Sequence, residues 1–91
     1  MSGRQDLREL IAANIRGVRA VRTTAEGKWV KQADVARAMR ELGFEWHPQT
    51  VSMVEAARRS VRAEELVALA GVLGTTVWAL LGESHLGGGR A

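Results

Sequence analysis

Apolar positions return at helical spacing along most of the chain, and polar segments that contain glycine separate the periodic stretches. The first stretch covers residues 6–22 and predicts a helix in which Asp6 is the N-cap and Glu9 completes a capping box. Its apolar side chains are Leu7, Leu10, Ile11, Ile15 and Val18. The segment 23–29 is polar, holds Gly27 and predicts a loop.

Helical spacing resumes over residues 30–42, which predict a second helix that Gly43 terminates as its C′ residue. The apolar face of this helix consists of Val35, Ala36, Met39 and Leu42. The connection that follows, residues 43–47, is short and leads directly to the single proline of the chain.

A third helix is predicted over residues 48–57. Pro48 suits the first helical turn, where its missing N–H would have no partner, and His47 then takes the N-cap position. In this arrangement Trp46 and Val51 can pack against each other as a hydrophobic staple.

The clearest amphipathic pattern lies in residues 61–73, which predict a fourth helix that ends at Gly74. Its apolar face consists of Leu66, Leu69, Ala70 and Leu73. Thr76 can cap a short fifth helix over residues 77–81, and Gly82 stops it. The pattern therefore predicts an all-α fold, a compact bundle of about five short helices.

Length and composition agree with one small domain over residues 1–82 and a flexible, glycine-rich tail over residues 83–91. The 91 residues contain no cysteine, which excludes a disulfide framework and a cysteine-based zinc site. The apolar runs are far shorter than the roughly 20 residues that span a bilayer, and the N-terminus lacks the apolar stretch of a signal peptide. We expect a cytoplasmic protein without a membrane partner.

Basic residues are concentrated in two parts of the chain. Seven lie between residues 16 and 40, against two acids, and a second group of three arginines lies between residues 58 and 62. Two interpretations fit such clusters, a solubilising surface or a contact surface for a polyphosphate.

Catalytic and metal-binding patterns are lacking in the sequence. The Gly27–Lys28 step has none of the spacing of a phosphate-binding loop. His47 is best explained as a cap, and His85 falls in the predicted tail without other ligands nearby. We therefore expect no enzyme, no small-molecule substrate, no cofactor and no metal.

The third helix has a distinctive division of side chains. Val51 and Val54 are expected to be buried with Glu55 beside them, whereas the other face is polar. That open face consists of Gln49, Thr50, Ser52 and Met53. A solvated face and a contact surface are both compatible with these residue types, and Met53 could instead fill the core.

The order of these segments resembles the Cro/C1-type, or XRE, family of helix-turn-helix proteins. The resemblance covers residues 15–81. It consists of Ile15 with Arg19, then KQADVA (31–36), TVSMVEAA (50–57) and ELVALAGVLGTTVWALL (65–81). Compared with the family pattern, the first loop and the turn are longer, Ala56 and Ala57 replace a glycine, and Lys31 replaces a Ser or Thr cap.

The resemblance implies a lambda-repressor-like fold in which the third helix enters the major groove of double-stranded DNA. The residues that would then contact bases are Gln49, Thr50, Ser52 and Met53. Those that would contact phosphates are Lys31, Gln32, Arg58, Arg59 and Arg62. It further implies a partly buried ion pair between Arg19 and Glu55.

A homodimer on DNA is also implied. Val77, Trp78 and Leu81 could supply its surface, although Trp78 could equally pack in the core. Because no sensor domain follows in this sequence, we expect a Cro-like or minimal repressor of phage or bacterial type. The alternative is a protein-interaction module, an adaptor or antitoxin-like partner, with Phe44, Trp46 and Met53 exposed together as an apolar patch.

Overall fold

Five α-helices form the regular structure of residues 3–82, the part of the chain that the computed structural model describes, with side chains from Leu7 onward. They are α1 (Gly3–Ala20), α2 (Gln32–Glu41), α3 (Pro48–Glu55), α4 (Ala63–Leu73) and α5 (Val77–Leu80). No strand occurs within these residues, so the predicted all-α class is confirmed. The predicted tail, residues 83–91, lies outside the described part.

One hydrophobic core joins all five helices. α2 packs against both α3 and α4, and α1 packs against α3 and α5. The largest fully buried side chains come from every helix and from the α2–α3 connection: Ile15, Val35, Met39, Trp46, Val51, Val54, Leu69 and Leu80. Burying a side chain of this size contributes about 1.5–3 kcal/mol. The core therefore fixes how α3 lies on the rest of the domain. No described helix is long and apolar enough to cross a bilayer.

Local signals in the sequence set most helix ends. α3 begins at Pro48 as predicted, with His47 as N-cap. The hydroxyl of Thr76 accepts a hydrogen bond from the Ala79 N–H (3.0 Å) and caps α5. Gly43 has a φ of 98°, and its N–H donates to the Arg40 carbonyl, which closes α2 as expected of a C′ glycine.

Five predicted boundaries are wrong by two residues or more: both ends of α1, the starts of α2 and α4, and the end of α3. α1 starts at Gly3, so Asp6 lies inside the helix and is not its N-cap; the preceding arginine and glutamine are good helix formers. α1 also ends at Ala20 rather than residue 22, and α3 ends at Glu55 rather than residue 57. Leu42 was predicted to be buried but is exposed, because it is the C-cap residue, where the backbone leaves helical geometry (φ −91°, ψ 2°).

The loop between α1 and α2 forms a small hairpin, residues 22–30. Thr23 and Trp29 make an antiparallel bridge, and the Val30 N–H donates to the Arg22 carbonyl (3.0 Å). Inside the bridge, the Thr24 N–H donates to the Lys28 carbonyl (2.7 Å). The predicted loop is therefore ordered by its own backbone hydrogen bonds.

The end of α3 places an alanine in the left-handed region. Ala57 has a φ of 61°, its N–H donates to the Val54 carbonyl, and the next N–H, of Arg58, donates to the Met53 carbonyl. This is a Schellman ending in which the C′ position, normally glycine, carries a Cβ.

Replacing Ala57 by glycine is expected to raise the free energy of unfolding by about 0.5–1 kcal/mol. The left-handed conformation costs an L-residue about 1–2 kcal/mol, which exceeds the extra chain entropy that glycine loses on folding. Urea denaturation measures the change. Ala56→Gly is the matched control, because Ala56 has a φ of −92° and glycine there is expected to destabilise the protein. Equal losses in both variants would contradict the prediction.

Candidate nucleic-acid interface

α3 presents one face to the core and another to solvent. Val51 and Val54 are buried, and so is Glu55. Gln49 and Ser52 are exposed, and Met53 is 39% exposed. Met53 is therefore a surface residue rather than core filler.

Thr50 differs from the other residues of the predicted open face. It is half-buried, and its hydroxyl oxygen accepts a hydrogen bond from the His47 N–H (3.1 Å). The hydroxyl satisfies one of the N–H groups at the start of the helix, so its first role is to cap α3.

The connection between α2 and α3 is fixed by buried contacts. Trp46 is 2% exposed and donates its indole N–H to the Glu65 carboxylate (2.9 Å). The Arg40 guanidinium donates to the Trp46 carbonyl (2.7 Å). Since Trp46 is buried, the apolar patch of Phe44, Trp46 and Met53 that the protein-interaction alternative requires is not formed.

Glu55 is the centre of a polar cluster beneath α3. Its carboxylate accepts hydrogen bonds from Arg19 Nε (2.6 Å) and Nη2 (2.9 Å). The structure thus contains the Arg19–Glu55 ion pair that the family resemblance implies, with side-chain exposures of 19% and 4%. The amide of Gln32 also donates to this carboxylate (3.0 Å), which leaves one amide hydrogen for another acceptor. Arg16 donates to the Glu55 carbonyl (2.6 Å).

A second buried cluster was not predicted. The two oxygens of Glu65 accept hydrogen bonds from the Arg59 guanidinium (3.1 and 2.9 Å), which also lies 5.2 Å from the centre of the Trp46 ring. The Arg62 N–H donates to Glu65 as well (2.9 Å). Arg59, expected at a phosphate, is thus held inside the domain by Glu65.

The pKa of Glu65 reflects this environment. Burial alone would raise the pKa of the carboxyl group, but the hydrogen bonds from Arg59, the Arg62 N–H and Trp46 outweigh that effect. Together they lower the pKa of Glu65 from 4.5 to about 2. The sequence offers one signal for this residue, an acid three positions after the N-cap of α4, which is typical of a capping box.

Most of the described arginines are occupied within the fold. Arg22 donates to the carbonyls of Leu73 (2.9 Å) and Gly74 (3.0 Å) at the end of α4, and Arg37 pairs with Asp34 on the surface of α2. Four exposed cations, by contrast, have no side-chain partner among the described residues: Lys28, Lys31, Arg58 and Arg62. Lys28 and Lys31 precede α2, and Arg58 and Arg62 follow α3, so the free positive charge lies at the start of α2 and after the end of α3.

The α5 surface is partly apolar. Trp78 is 67% exposed, and Val77 and Leu81 are half-buried beside the buried Leu80. The side-chain amide of Asn14 donates to the Leu80 carbonyl (2.9 Å) and fixes α5 against α1. Of the two interpretations of Trp78, core packing is therefore wrong.

Within residues 7–82, no cluster of three or more His, Cys, Asp or Glu side chains could hold a metal ion. An apolar groove of about 320 Å³ lies between α1 and the segment after α3, lined among others by Leu7, Ile11, Val54 and Val61. Its polar lining consists of Arg8, Arg59 and Ser60.

Comparisons of this chain with protein-family models, curated proteins and solved structures give no match.

Proposed function

We propose that this protein is a sequence-specific DNA-binding regulator of transcription, a small Cro-like or minimal repressor. In this proposal α2 and α3 are the helix-turn-helix, in a lambda-repressor-like arrangement, and α3 lies in the major groove. The observation that carries the proposal is the division of α3. Its inner face is fixed to the core by Val51, Val54 and Glu55, while Gln49, Ser52 and Met53 face solvent.

The exposed side chains of α3 suit the edges of base pairs. Gln49 can bind adenine through two hydrogen bonds, Ser52 can donate to or accept from several bases, and Met53 can contact the methyl group of thymine. Thr50 contributes mainly by fixing the start of α3. A rigid helix limits the entropy lost on binding, so even three such contacts can discriminate between sequences.

Phosphate contacts are assigned to the free cations. Lys31 is the N-cap residue of α2, where backbone N–H groups and the helix dipole also favour an anion, and Gln32 retains one amide hydrogen. Arg58 and Arg62 follow α3 and can reach the flanking strand. Arg59 is assigned to the scaffold because Glu65 occupies its guanidinium.

Dimerisation would place two copies of α3 on successive turns of the duplex. The surface assigned to it is Val77, Trp78 and Leu81 on and after α5. Half-sites one helical turn apart, about 34 Å, match a two-fold symmetric dimer. The described domain measures 37 × 27 × 19 Å. At 3.4 Å per base pair two copies would cover about 20 base pairs, and polymerase would be blocked sterically at a promoter that overlaps this site.

Gln49→Ala is expected to lower affinity for the preferred duplex about tenfold or more and to leave affinity for a scrambled duplex unchanged. The preferred duplex is one that the wild-type protein enriches from a random pool, and fluorescence anisotropy measures both affinities. Arg58→Ala is the contrasting variant, since loss of a phosphate contact weakens both duplexes alike. Equal losses on both duplexes for Gln49→Ala would contradict base contact by α3.

The protein-interaction alternative makes a different prediction for the same experiment. If the wild-type protein enriches no sequence and binds all duplexes equally, sequence-specific recognition is overturned. The exposed Trp78 surface would then be the first place to look for a protein partner.

A further inference from the structure

The hairpin between α1 and α2 carries an exposed tryptophan next to free cations. Trp29 is 66% exposed, and its indole N–H has no partner among the described residues. Lys28 precedes it and Lys31 follows two residues later, and these are the only lysines in the chain. Neither ammonium group has a partner within residues 7–82. An unpartnered aromatic ring between two free ammonium groups has no evident role in the fold.

The position of Trp29 is fixed by backbone hydrogen bonds. Trp29 forms the antiparallel bridge with Thr23, and its two neighbours in sequence make the hydrogen bonds that complete the hairpin. The Val30 N–H donates to the Arg22 carbonyl, and the Lys28 N–H donates to the Thr24 hydroxyl (3.3 Å). The exposed ring is therefore attached to a segment whose backbone is ordered.

The hairpin is linked directly to α3. The guanidinium of Arg19 donates to the Val30 carbonyl (3.1 Å) and, through its other nitrogens, to the carboxylate of Glu55. One side chain thus joins the last residue of the hairpin to the last turn of α3. The hairpin therefore has a fixed position relative to the last turn of α3.

We propose that residues 28–31 form a second DNA contact, on the sugar-phosphate backbone beside the half-site that α3 occupies. This inference rests on the proposed function. Lys28 and Lys31 would bind phosphates, and the indole of Trp29 would pack on a deoxyribose and donate its N–H to a phosphate. Trp29 is two residues, about 7 Å of extended chain, from Lys31. If the start of α2 binds one phosphate, the indole is therefore within reach of the neighbouring nucleotide.

Charge favours DNA over a protein partner at this segment. Two carboxylates lie near it. Glu26 is at the tip of the hairpin, where it would repel phosphate, and Asp34 accepts a hydrogen bond from the Lys31 N–H (2.8 Å) and is paired with Arg37. The contact is consequently confined to the second half of the hairpin, which carries only positive charge. A backbone contact carries no sequence information, so it adds affinity on every duplex.

The test compares Trp29→Ala, Lys28→Ala and Lys31→Ala with the wild-type protein on the enriched and scrambled duplexes at several salt concentrations. Trp29→Ala is expected to weaken binding to both duplexes about tenfold, because it removes the packing of the ring and a hydrogen bond to a charged phosphate. Each lysine variant is expected to reduce the slope of log affinity against log salt by about 1. Arg37→Ala, which removes an exposed cation of α2 that is paired with Asp34, serves as the matched control and should leave the slope unchanged. Thermal unfolding of each variant checks that the fold is retained.

A second readout follows Trp29 itself. Trp29→Phe retains the buried Trp46 and the exposed Trp78, so the difference between its acrylamide quenching and that of the wild-type protein reports on Trp29. At saturating DNA the wild-type protein should lose the quenching that Trp29 contributes, and the two proteins should be quenched about equally.

The outcomes distinguish failure of the hairpin contact from failure of the proposed function. A wild-type protein that binds no duplex overturns both. Specific binding with unchanged affinity in Trp29→Ala and no protection from acrylamide overturns the hairpin contact alone. Protection of Trp29 by DNA, together with equal losses of affinity on both duplexes in Trp29→Ala, supports the hairpin contact. This holds even if the identity of the base-contacting residues on α3 has to be revised.

Discussion

Arg19→Ala is expected to lower the free energy of unfolding by about 3–5 kcal/mol, the usual effect of removing one partner from a buried ion pair. The variant leaves the Glu55 carboxylate, 4% exposed, with only the Gln32 amide as a side-chain donor, and it frees the Val30 carbonyl. Desolvating an unpaired carboxylate is the main cost. Guanidinium denaturation at neutral pH measures the change.

A matched control is available on the surface. Arg37→Ala removes an ion pair with Asp34 whose side-chain exposures are 63% and 26%, and such pairs contribute about 0–1 kcal/mol. If Arg19→Ala costs no more than Arg37→Ala, the pair beneath α3 is not a main stabilising contact. The position of α3 would then have to be attributed to Val51 and Val54 alone.

The second large effect is a loss of folding stability in acid. Because the pKa of Glu65 is lowered to about 2 in the folded protein, its stabilising contribution is fully present above pH 4.5. The contribution is lost as pH falls from 4.5 towards 2, where the carboxylate is protonated in the folded state as well. The difference between the ordinary pKa of 4.5 and the folded-state pKa of about 2 corresponds to about 3 kcal/mol of folding stability.

The experiment compares the free energy of unfolding of the wild-type protein and Glu65→Gln between pH 2 and pH 6. The stability difference between them should be constant above about pH 5 and shrink by about 3 kcal/mol towards pH 2. Glu64→Gln is the control, because Glu64 lies exposed in the same helical turn. A difference between wild type and Glu65→Gln that does not change with pH would assign the effect to shape rather than charge.

The sequence predicted the elements of this fold better than the contacts between them. Some helix ends were predictable because a single residue acts on the backbone within one helical turn. These residues are Gly43, Pro48, Gly74 and Thr76. The start of α1 carries no comparable signal, and its prediction was wrong. Leu42 fits the apolar period of α2 but falls on the cap, where the period no longer determines which way a side chain faces.

Predictions about the candidate interface were limited in a different way. The exposure of Gln49 and Ser52 follows from the helical period alone. The partner of Arg59 does not, because Glu65 and Trp46 meet it only once α2, α3 and α4 have packed. The same holds for Trp29, whose exposure depends on how a short hairpin lies against α1 and α2. Local periodicity indicates which face of a helix is polar, but it does not indicate which cations remain free.

Three arginines, in α1 and at the start of the hairpin, impose a constraint on how this sequence can change. Arg16, Arg19 and Arg22 bind carbonyl or carboxylate groups of α3, the hairpin and the end of α4. A planar guanidinium donates in several fixed directions, whereas an ammonium group is a compact charge that cannot span the same acceptors. Exchange of arginine for lysine, usually a conservative step in evolutionary drift, would keep the net charge and break these tertiary links. Such exchanges should be tolerated at Arg58 and Arg62 and selected against at Arg16, Arg19 and Arg22.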